Sequence, residues 1–284
     1  MDSSGYERGN LAAGGRLIAT DAEGSYMTDS IEDAVRDYQQ NVSAKYHPEF
    51  AAGGYAHDDG TVEFYQRVVA VCPVGATVLD LGAGSGVQFQ GNYGPWRSWL
   101  IRLGKKYARR IGADVDPAVT ANPELDQSEI IEPGKPLPYP DQTFDLILCD
   151  WVVEHIEDPE FFVTEIRRVL KLGGWFCART PNRWSYFSIG ARILPKSLEK
   201  KVLRVLLPSR QEDDSFPKFY RLNTLRDIRE RFNDSQWTNA TYACNPSPAY
   251  HGNKLWLYKL ISLYQKFLPP SLRTVILIFA RRIV

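Results

Sequence analysis

Apolar positions along this chain fall into short runs and helical stripes that alternate for most of its length. Ile31, Val35, Tyr38 and Val42 recur at steps of three and four behind Ser30, so the spacing predicts a capped helix from Ser30 to Tyr46. A second helix is expected over Thr61–Val71, just ahead of the β-prone run Val78-Leu79-Asp80-Leu81. Phe144 to Cys149 is too apolar for a half-exposed strand and suits the centre of a parallel sheet. Asp158 and Pro159 then supply a cap and a first helical position. Phe162, Ile166, Val169 and Leu170 give that helix one apolar face, and Gly173-Gly174 is expected to stop it. Further strands are expected at Arg110–Asp114, Glu129–Glu132, Trp175–Arg179, Trp237–Cys244 and Arg273–Ala280, and further helices at Leu225–Phe232 and over 253–268. Strands alternating with helices predict an α/β fold with helices on both faces of a parallel sheet.

The densest signal is Val78 to Gly86, VLDLGAGSG. An apolar strand feeds a carboxylate and then Gly82, Gly84 and Gly86 at alternate positions, a tight turn whose bare main chain can lie against a ligand. A dinucleotide loop needs Gly-x-Gly-x-x-Gly and an acid roughly 20 positions on. Here the spacing is Gly-x-Gly-x-Gly, and the next strand-borne acid, Asp114, comes later. A P-loop is excluded, because Val87 and Gln88 stand where Gly-Lys-Ser/Thr is required. From the loop alone, a plain structural turn remains the alternative.

With this Asp-x-Gly-x-Gly-x-Gly run the chain resembles the class I S-adenosylmethionine-dependent methyltransferases, of the methyltransferase type 11 kind. Leu137-Pro138-Tyr139-Pro140-Asp141-Gln142-Thr143-Phe144-Asp145 is similar to the "LPF-x-D-x-S-F-D" entry to that family's fourth strand, and Glu154-His155-Ile156-Glu157-Asp158-Pro159 to its "EH-x-x-DP" segment. The resemblance is close over residues 60–183 and loose elsewhere. It departs after Gly86, where the family's first helix normally begins. Gly91, Gly94 and Pro95 interrupt the pattern, and Trp96, Trp99, Leu100 and Leu103 restart a helical stripe that is expected to pack.

The resemblance implies a Rossmann-like seven-stranded, mostly parallel sheet with helices on both faces, plus helical N-terminal and lid insertions. Residues 1–24 are expected to be poorly ordered ahead of a single domain over 25–284. That domain has a core at 60–183, a lid insertion at 184–218 and edge elements at 219–284. Within the insertion, Ile193 to Leu207 reads as a basic amphipathic helix or pair, followed by the acidic turn Glu212-Asp213-Asp214. S-adenosyl-L-methionine is the implied cofactor, held by Asp80, Gly82, Ala83, Gly84, Ser85, Gly86, Asp114, Val115, Glu132, Asp150 and Trp151. The two oxygens of Asp114 can accept from both ribose hydroxyls, with Asp116 the alternative if the register slips by two. Glu132 or the backbone around it would lie near the adenine edge.

Methyl transfer from a sulfonium requires alignment and exclusion of water more than covalent help. A base is needed only if the acceptor's proton leaves in the transition state. His155 is the most base-like residue near the rim, and helix-entry packing is the rival reading of it. Glu154 as a metal ligand is a minor reading, and no metal is expected. Tyr220, Arg221, Tyr250 and His251 are substrate candidates on the lid side. The implied acceptor is a small molecule or a lipid or glycan intermediate. Two other classes stand beside this one: a catalytically silent nucleoside-binding scaffold, and a peripheral membrane methyltransferase. The stretches around 196–207 and 253–268 are amphipathic with Lys and Arg flanks, and packing on the sheet or lid is the favoured reading of both.

Composition refines this picture in two ways. The 284 residues hold 34 basic and 34 acidic side chains, yet residues 1–72 carry 5 basic against 12 acidic and residues 183–284 carry 18 against 7. The C-terminal part therefore meets something anionic, which favours an anionic acceptor, or docks on the acidic N-terminal segment. Nucleic acid is not expected, since no binding module accompanies the basic residues. Cys72, Cys149, Cys177 and Cys244 stand singly, as buried thiols in a reducing cytoplasm would. No Lys/Arg-led apolar segment opens the chain, and Val275 to Ala280 is too short to span a bilayer, so the expected location is cytoplasmic. Oligomeric state and acceptor atom are left open.

Overall fold

The strand-forming runs pair into one sheet. The computed structural model describes residues 42–89, 94–193, 206 and 216–284. Within them the strands are β1 (Ala76–Leu81), β2 (Tyr107–Asp114), β3 (Gln127–Ile130), β4 (Phe144–Asp150), β5 (Leu170–Pro181), β6 (Trp237–Asn239), β7 (Tyr242–Cys244) and β8 (Val275–Arg282). Their order is β3-β2-β1-β4-β5-β8-β6, with β7 also on β8. Strands β1 to β5 run parallel, and β8 runs antiparallel to β5, β6 and β7. Asn239 lies opposite Ala280 and Tyr242 opposite Leu277, one unbroken register, and the Ala240 N–H reaches the Phe279 carbonyl between them. β6 and β7 are thus one interrupted edge strand, and the sheet is seven strands wide in the expected sense.

Side chains alternate across the strands and so divide the core in two. Leu79, Leu81, Ile147, Cys149 and Phe176 face one side, under α4 (Pro159–Val169) and α6 (Leu225–Arg231). Val78, Leu146, Leu148 and Cys177 face the other, under α2 (Gly60–Val71) and α3 (Pro95–Ile101). Phe144 and Leu146 to Cys149 of β4 are fully buried on both faces, which is why that run is apolar without alternation. Shorter pieces complete the described residues: α1 (Val42–Tyr46), α5 (Tyr186–Ile193) and α7 (Leu255–Lys266). No helix among them is long and apolar enough to cross a membrane.

Local chemistry sets the helix starts. Asp59 accepts from the N–H groups of Thr61 and Val62 at 2.8 and 3.0 Å, and Asp158 from those of Glu160 and Phe161 at 3.0 and 3.1 Å. Pro95 opens α3 after Gly94, whose φ is +74°. On that helix Leu100 is buried, whereas Trp96 and Trp99 remain partly exposed and stack on each other at 5.1 Å.

Two boundaries move for a clear physical reason. The third strand is Gln127–Ile130 rather than Glu129–Glu132, because Asp126 exchanges hydrogen bonds with the Arg110 backbone and pulls the pairing two residues earlier. Gly173-Gly174 does not stop α4, which ends at Val169. Leu170 already pairs with Phe144, and Arg282 Nη1 caps the end of the helix by donating to the carbonyls of Arg167 and Leu170. Finally, only Val42–Tyr46 of the helix expected from Ser30 lies within the described residues. Residues 1–24, Gly91, most of Ile193–Leu207 and the turn Glu212-Asp213-Asp214 lie outside them.

The C-terminal edge is locked by one aromatic cluster. Phe232 is fully buried, stacked on Phe176 at 5.3 Å and edge-on to Trp237 at 5.1 Å. Phe232→Ala removes a ring that both neighbours enclose, and the expected cost is about 3–5 kcal/mol in a urea titration.

Candidate functional site

Strand order reverses between β1 and β4, so their connections leave in opposite directions and a crevice opens at the carboxyl ends. The glycine loop fills the floor of that crevice. Gly82, Gly84 and Gly86 all have left-handed backbones, with φ of +79°, +52° and +79°. A side chain at Gly82 would overlap Val152, and one at Gly86 would overlap Asn122, so packing forbids both. At Gly84 an added Cβ meets nothing within 4 Å. The loop is therefore packed from beneath and open above Gly84.

Two side chains hold this loop in place. Asp114, the last residue of β2, accepts from the Gly84 N–H at 2.8 Å and from the Asp116 N–H at 2.9 Å. Asn122 is buried and donates to the carbonyls of Ala83 and Gly84, both at 3.2 Å. Asn122 escaped the sequence reading because nothing local marks an Asn in a turn as a loop anchor. Asp116 lies beyond the strand end, where its carboxylate caps the turn Pro117–Ala121 through the Ala118 N–H, whereas Asp114 is the last residue of β2. Val115 is half-buried beyond the strand end. Glu132 is exposed in the turn after β3 and pairs with Lys135 at 2.6 Å.

Asp80 is engaged beneath the loop by a cation. Arg110 is buried beside it, with Nη2 and Nε at 2.6 and 3.1 Å from Asp80 Oδ2. The guanidinium also reaches the Ile101 carbonyl and lies 4.7 Å from the Phe89 ring. Burial pushes the Asp80 carboxyl above its ordinary range against the pull of Arg110. The charge is consumed under the loop rather than offered above it.

A second ion pair stands at the end of β4. Asp150 accepts from Arg179 at both oxygens, each at 2.7 Å, and from the Tyr65 hydroxyl at 3.0 Å. Arg179 Nη1 and Arg97 Nη2 both donate to Thr61 Oγ1, at 2.9 and 3.0 Å. Burial, reinforced by the Asp150 charge, pushes the Tyr65 phenol well above its usual value, so it stays a donor. Trp151 follows with φ +60° and a partly exposed ring, 5.1 Å from the Arg179 guanidinium. Tyr65, Arg179 and Thr61 were missed from sequence. One signal was available for Arg179: a lone cation ending an apolar strand needs a carboxylate in register, and Asp150 is directly opposite it.

Beyond β4 the chain turns through Val153–His155. Glu154 is buried, accepts from Thr180 Oγ1 at 3.0 Å, and is backed by Asn223, which donates to the same hydroxyl at 2.7 Å. Its backbone carbonyl accepts from Phe219 and Tyr220. Burial raises the Glu154 carboxyl to about 7. His155 Nδ1 lies 2.8 Å from the Pro217 carbonyl, and burial lowers its pKa. A carbonyl only accepts, so Nδ1 carries the proton and Nε2 of the neutral ring keeps its lone pair.

The four substrate candidates divide into two groups. Tyr220 is buried with φ +52° beside Glu154, and Arg221 donates to the Glu157 carbonyl at 2.8 Å. Tyr250 stacks on Phe187 of α5 at 5.3 Å, while His251 sits edge-on to Tyr258 of α7. Arg192 of α5 connects the groups, its guanidinium 5.9 Å from the Tyr220 ring. On the other side of Tyr258, whose hydroxyl lies 3.0 Å from His47 Nε2, His47, His57 and Asp58 have one donor atom each within 4.8 Å of the others, a grouping that could hold a metal ion.

Residues 79–178 match the family model described as a methyltransferase domain. A probable S-adenosylmethionine-dependent methyltransferase of Mycolicibacterium smegmatis is 36% identical over 126 residues, 43% of this chain and 44% of that protein. A ubiquinone biosynthesis O-methyltransferase of Methylobacterium sp. is 35% identical over 119 residues, 38% of this chain and 42% of that protein. The matched stretch thus spans less than half the length of these curated relatives. A solved geranyl diphosphate C-methyltransferase from Streptomyces coelicolor aligns over 87% of this chain and 83% of its own, with 15% identity and a TM-score of 0.48.

Glu154 makes stability depend on pH. The folded protein holds its proton up to about pH 7, whereas the ordinary value is 4.5. Between these values the folded state binds more protons than the unfolded one, so the contribution falls as pH rises and the penalty is complete above the folded value. The expected loss from this group is about 3 kcal/mol. Glu154→Gln, whose carbonyl still accepts from Thr180, abolishes that slope in urea titrations run across the same pH window.

Proposed function

We propose, on the premise that residues 79–178 are a methyltransferase domain of the class I S-adenosylmethionine-dependent kind, that this protein binds S-adenosyl-L-methionine at the carboxyl ends of β1, β2 and β4 and methylates a small-molecule or lipid or glycan-intermediate acceptor. The observation that carries this reading is the glycine loop: two glycines packed from below, and one whose missing side chain leaves open space beside Asp114. When bound, the cofactor supplies a sulfonium-activated methyl group, so that the acceptor's lone pair bonds to the methyl carbon as the carbon–sulfur bond breaks.

The chain's own residues provide the rest. The loop main chain, with no side chain at Gly84, would lie against the cofactor, while the Gly84 N–H itself is held by Asp114. Asp114 already accepts from two backbone donors, and each of its oxygens retains a lone pair for a sugar hydroxyl. Trp151 and the Tyr65–Asp150–Arg179 network form a wall that is rigid because its polar groups satisfy one another. His155 is the group prepared to take the acceptor's proton, since its ring is neutral with Nε2 as the open acceptor. Tyr220, Arg221, Tyr250 and His251, with α5 as part of a lid, are the residues we assign to the acceptor. The excess of basic residues beyond position 183 supports an anionic one.

Three binding experiments decide the cofactor. Calorimetry is expected to show saturable binding of S-adenosylmethionine and none of NAD; the reverse overturns the reading. Gly84→Val fills the one open position among the three loop glycines and is expected to abolish binding, and near-normal affinity rejects the loop assignment. Asp114→Ala is expected to weaken binding by about 1–3 kcal/mol, the usual cost of leaving hydrogen-bonding groups unpaired. An unchanged dissociation constant places the ribose elsewhere. Failure to form S-adenosylhomocysteine with any acceptor, despite tight binding, would favour a silent nucleoside-binding scaffold.

A further inference from the structure

Helix α7 is amphipathic in the wrong direction for packing. Trp256, Leu260, Leu263 and Tyr264, continued by Phe267 just past its end, are all exposed, with Trp256 at 64% and Phe267 at 80%. At 100° per residue these five share one arc of the helix surface. The opposite arc, Tyr258, Ser262 and Gln265, is buried. Its grip is polar: the Tyr258 hydroxyl lies 3.0 Å from His47 Nε2 and 3.4 Å from Ser43 Oγ, and Asn245 donates to the Gln265 carbonyl at 2.8 Å. The helix cannot rotate to hide its apolar arc without breaking those bonds. Single exposed apolar residues are ordinary on a protein surface, but five contiguous ones form a patch.

Charge indicates what covers the patch. Lys254, Lys259 and Lys266 are exposed on α7 and at its start, and Leu255–Lys266 contains no Asp or Glu. Beside the helix, Tyr186 of α5 lies 6.3 Å from Tyr264, and the flanking Trp184 and Ile193 are exposed as well. The Gly252 N–H bonds the Leu206 carbonyl, and the sequence just before Leu206 holds Lys196, Lys200, Lys201 and Arg204. A second copy of the chain would set lysines against lysines with no carboxylate on the helix to neutralise them. Trp, Tyr, Leu and Phe bordered by lysines match the boundary between acyl chains and anionic headgroups.

We propose that α7 is an interfacial anchor that lies in the plane of an anionic membrane, with Trp256, Leu260, Leu263 and Phe267 in the apolar boundary and the lysines on lipid phosphates. This reverses the packing expected for residues 253–268. The loop leading into α7 also joins it to the crevice, because the Ser247 N–H bonds the Asp58 carbonyl next to α2, whose Thr61 holds Arg179. The proposal stands independently of the cofactor.

Co-sedimentation of the full chain with vesicles tests it. Binding is expected to vesicles containing about one part in four phosphatidylglycerol, to weaken with added salt, and to be slight on phosphatidylcholine alone. The exposed triple variant Trp256→Ser, Leu260→Ser, Phe267→Ser is expected to lose roughly ten-fold or more in partition coefficient with its thermal midpoint unchanged. Replacing Lys254, Lys259 and Lys266 by Gln is expected to remove most of the salt dependence. Absence of binding to either vesicle overturns the proposal, as does equal binding to both. It also falls if the triple variant binds normally, or if its only effect is to dissociate a dimer of the wild-type chain.

Discussion

A parallel sheet covered on both faces confines charge to the ends of its strands, since a carboxylate or guanidinium within the layer loses its water without compensation. The acids of the crevice and Arg179 obey this constraint, and Arg110, midway along β2, is buried only with Asp80 as its ion-pair partner. Asp80 stands near the end of β1, Asp114 at the end of β2, Asp150 at the end of β4 and Arg179 near the end of β5. Parallel strands all end on the same edge, so apolar burial of the sheet gathers the polar chemistry in one place. The site follows from the way the core is buried.

Each buried charge at that edge has a different solution to desolvation, and the solution decides what it can do. Arg110 neutralises Asp80 beneath the glycine loop, where breaking the pair would strand a charge. Asp150 and Arg179 pair in a fork that Tyr65 and Thr61 complete, which gives a stiff wall between α2 and the sheet. Asp114 is satisfied by backbone donors, so its negative charge remains available above Gly84. Glu154 has a hydroxyl instead of a cation as its close partner and keeps its proton to about pH 7. Residues of one chemical type are thereby divided, by what lies beside them, into acids neutralised by a cation and acids held by neutral donors.

Two helices show how packing selects among faces. On α4 the apolar stripe Phe162, Val163, Ile166 and Val169 is buried against the sheet, as its spacing suggests. On α7 an equally regular stripe faces outward, because the side available for docking already presents His47, Ser43 and Asn245. His47 and Ser43 hold the Tyr258 hydroxyl and Asn245 holds the Gln265 backbone carbonyl, which fixes the side of the helix turned inward. Periodicity specifies that a helix has two unlike faces; the partner specifies which of them turns inward.

The sequence by itself determined the elements whose causes are local. The glycine loop, the buried fourth strand, the Asp158-Pro159 helix start and the position of Asp114 at a strand end were all readable, because each depends on backbone sterics or on neighbours within a few residues. Tertiary structure decided the rest: the union of Arg110 with Asp80 and of Arg179 with Asp150, the support of the loop by Asn122, the two-residue shift of β3 through Asp126 and the outward face of α7. These partners are separated by between 16 and 215 positions, and only the strand order and the packing of the layers bring them together. Short-range patterns carry information about conformation, whereas the pairing of distant charges and faces is a property of the assembled sheet.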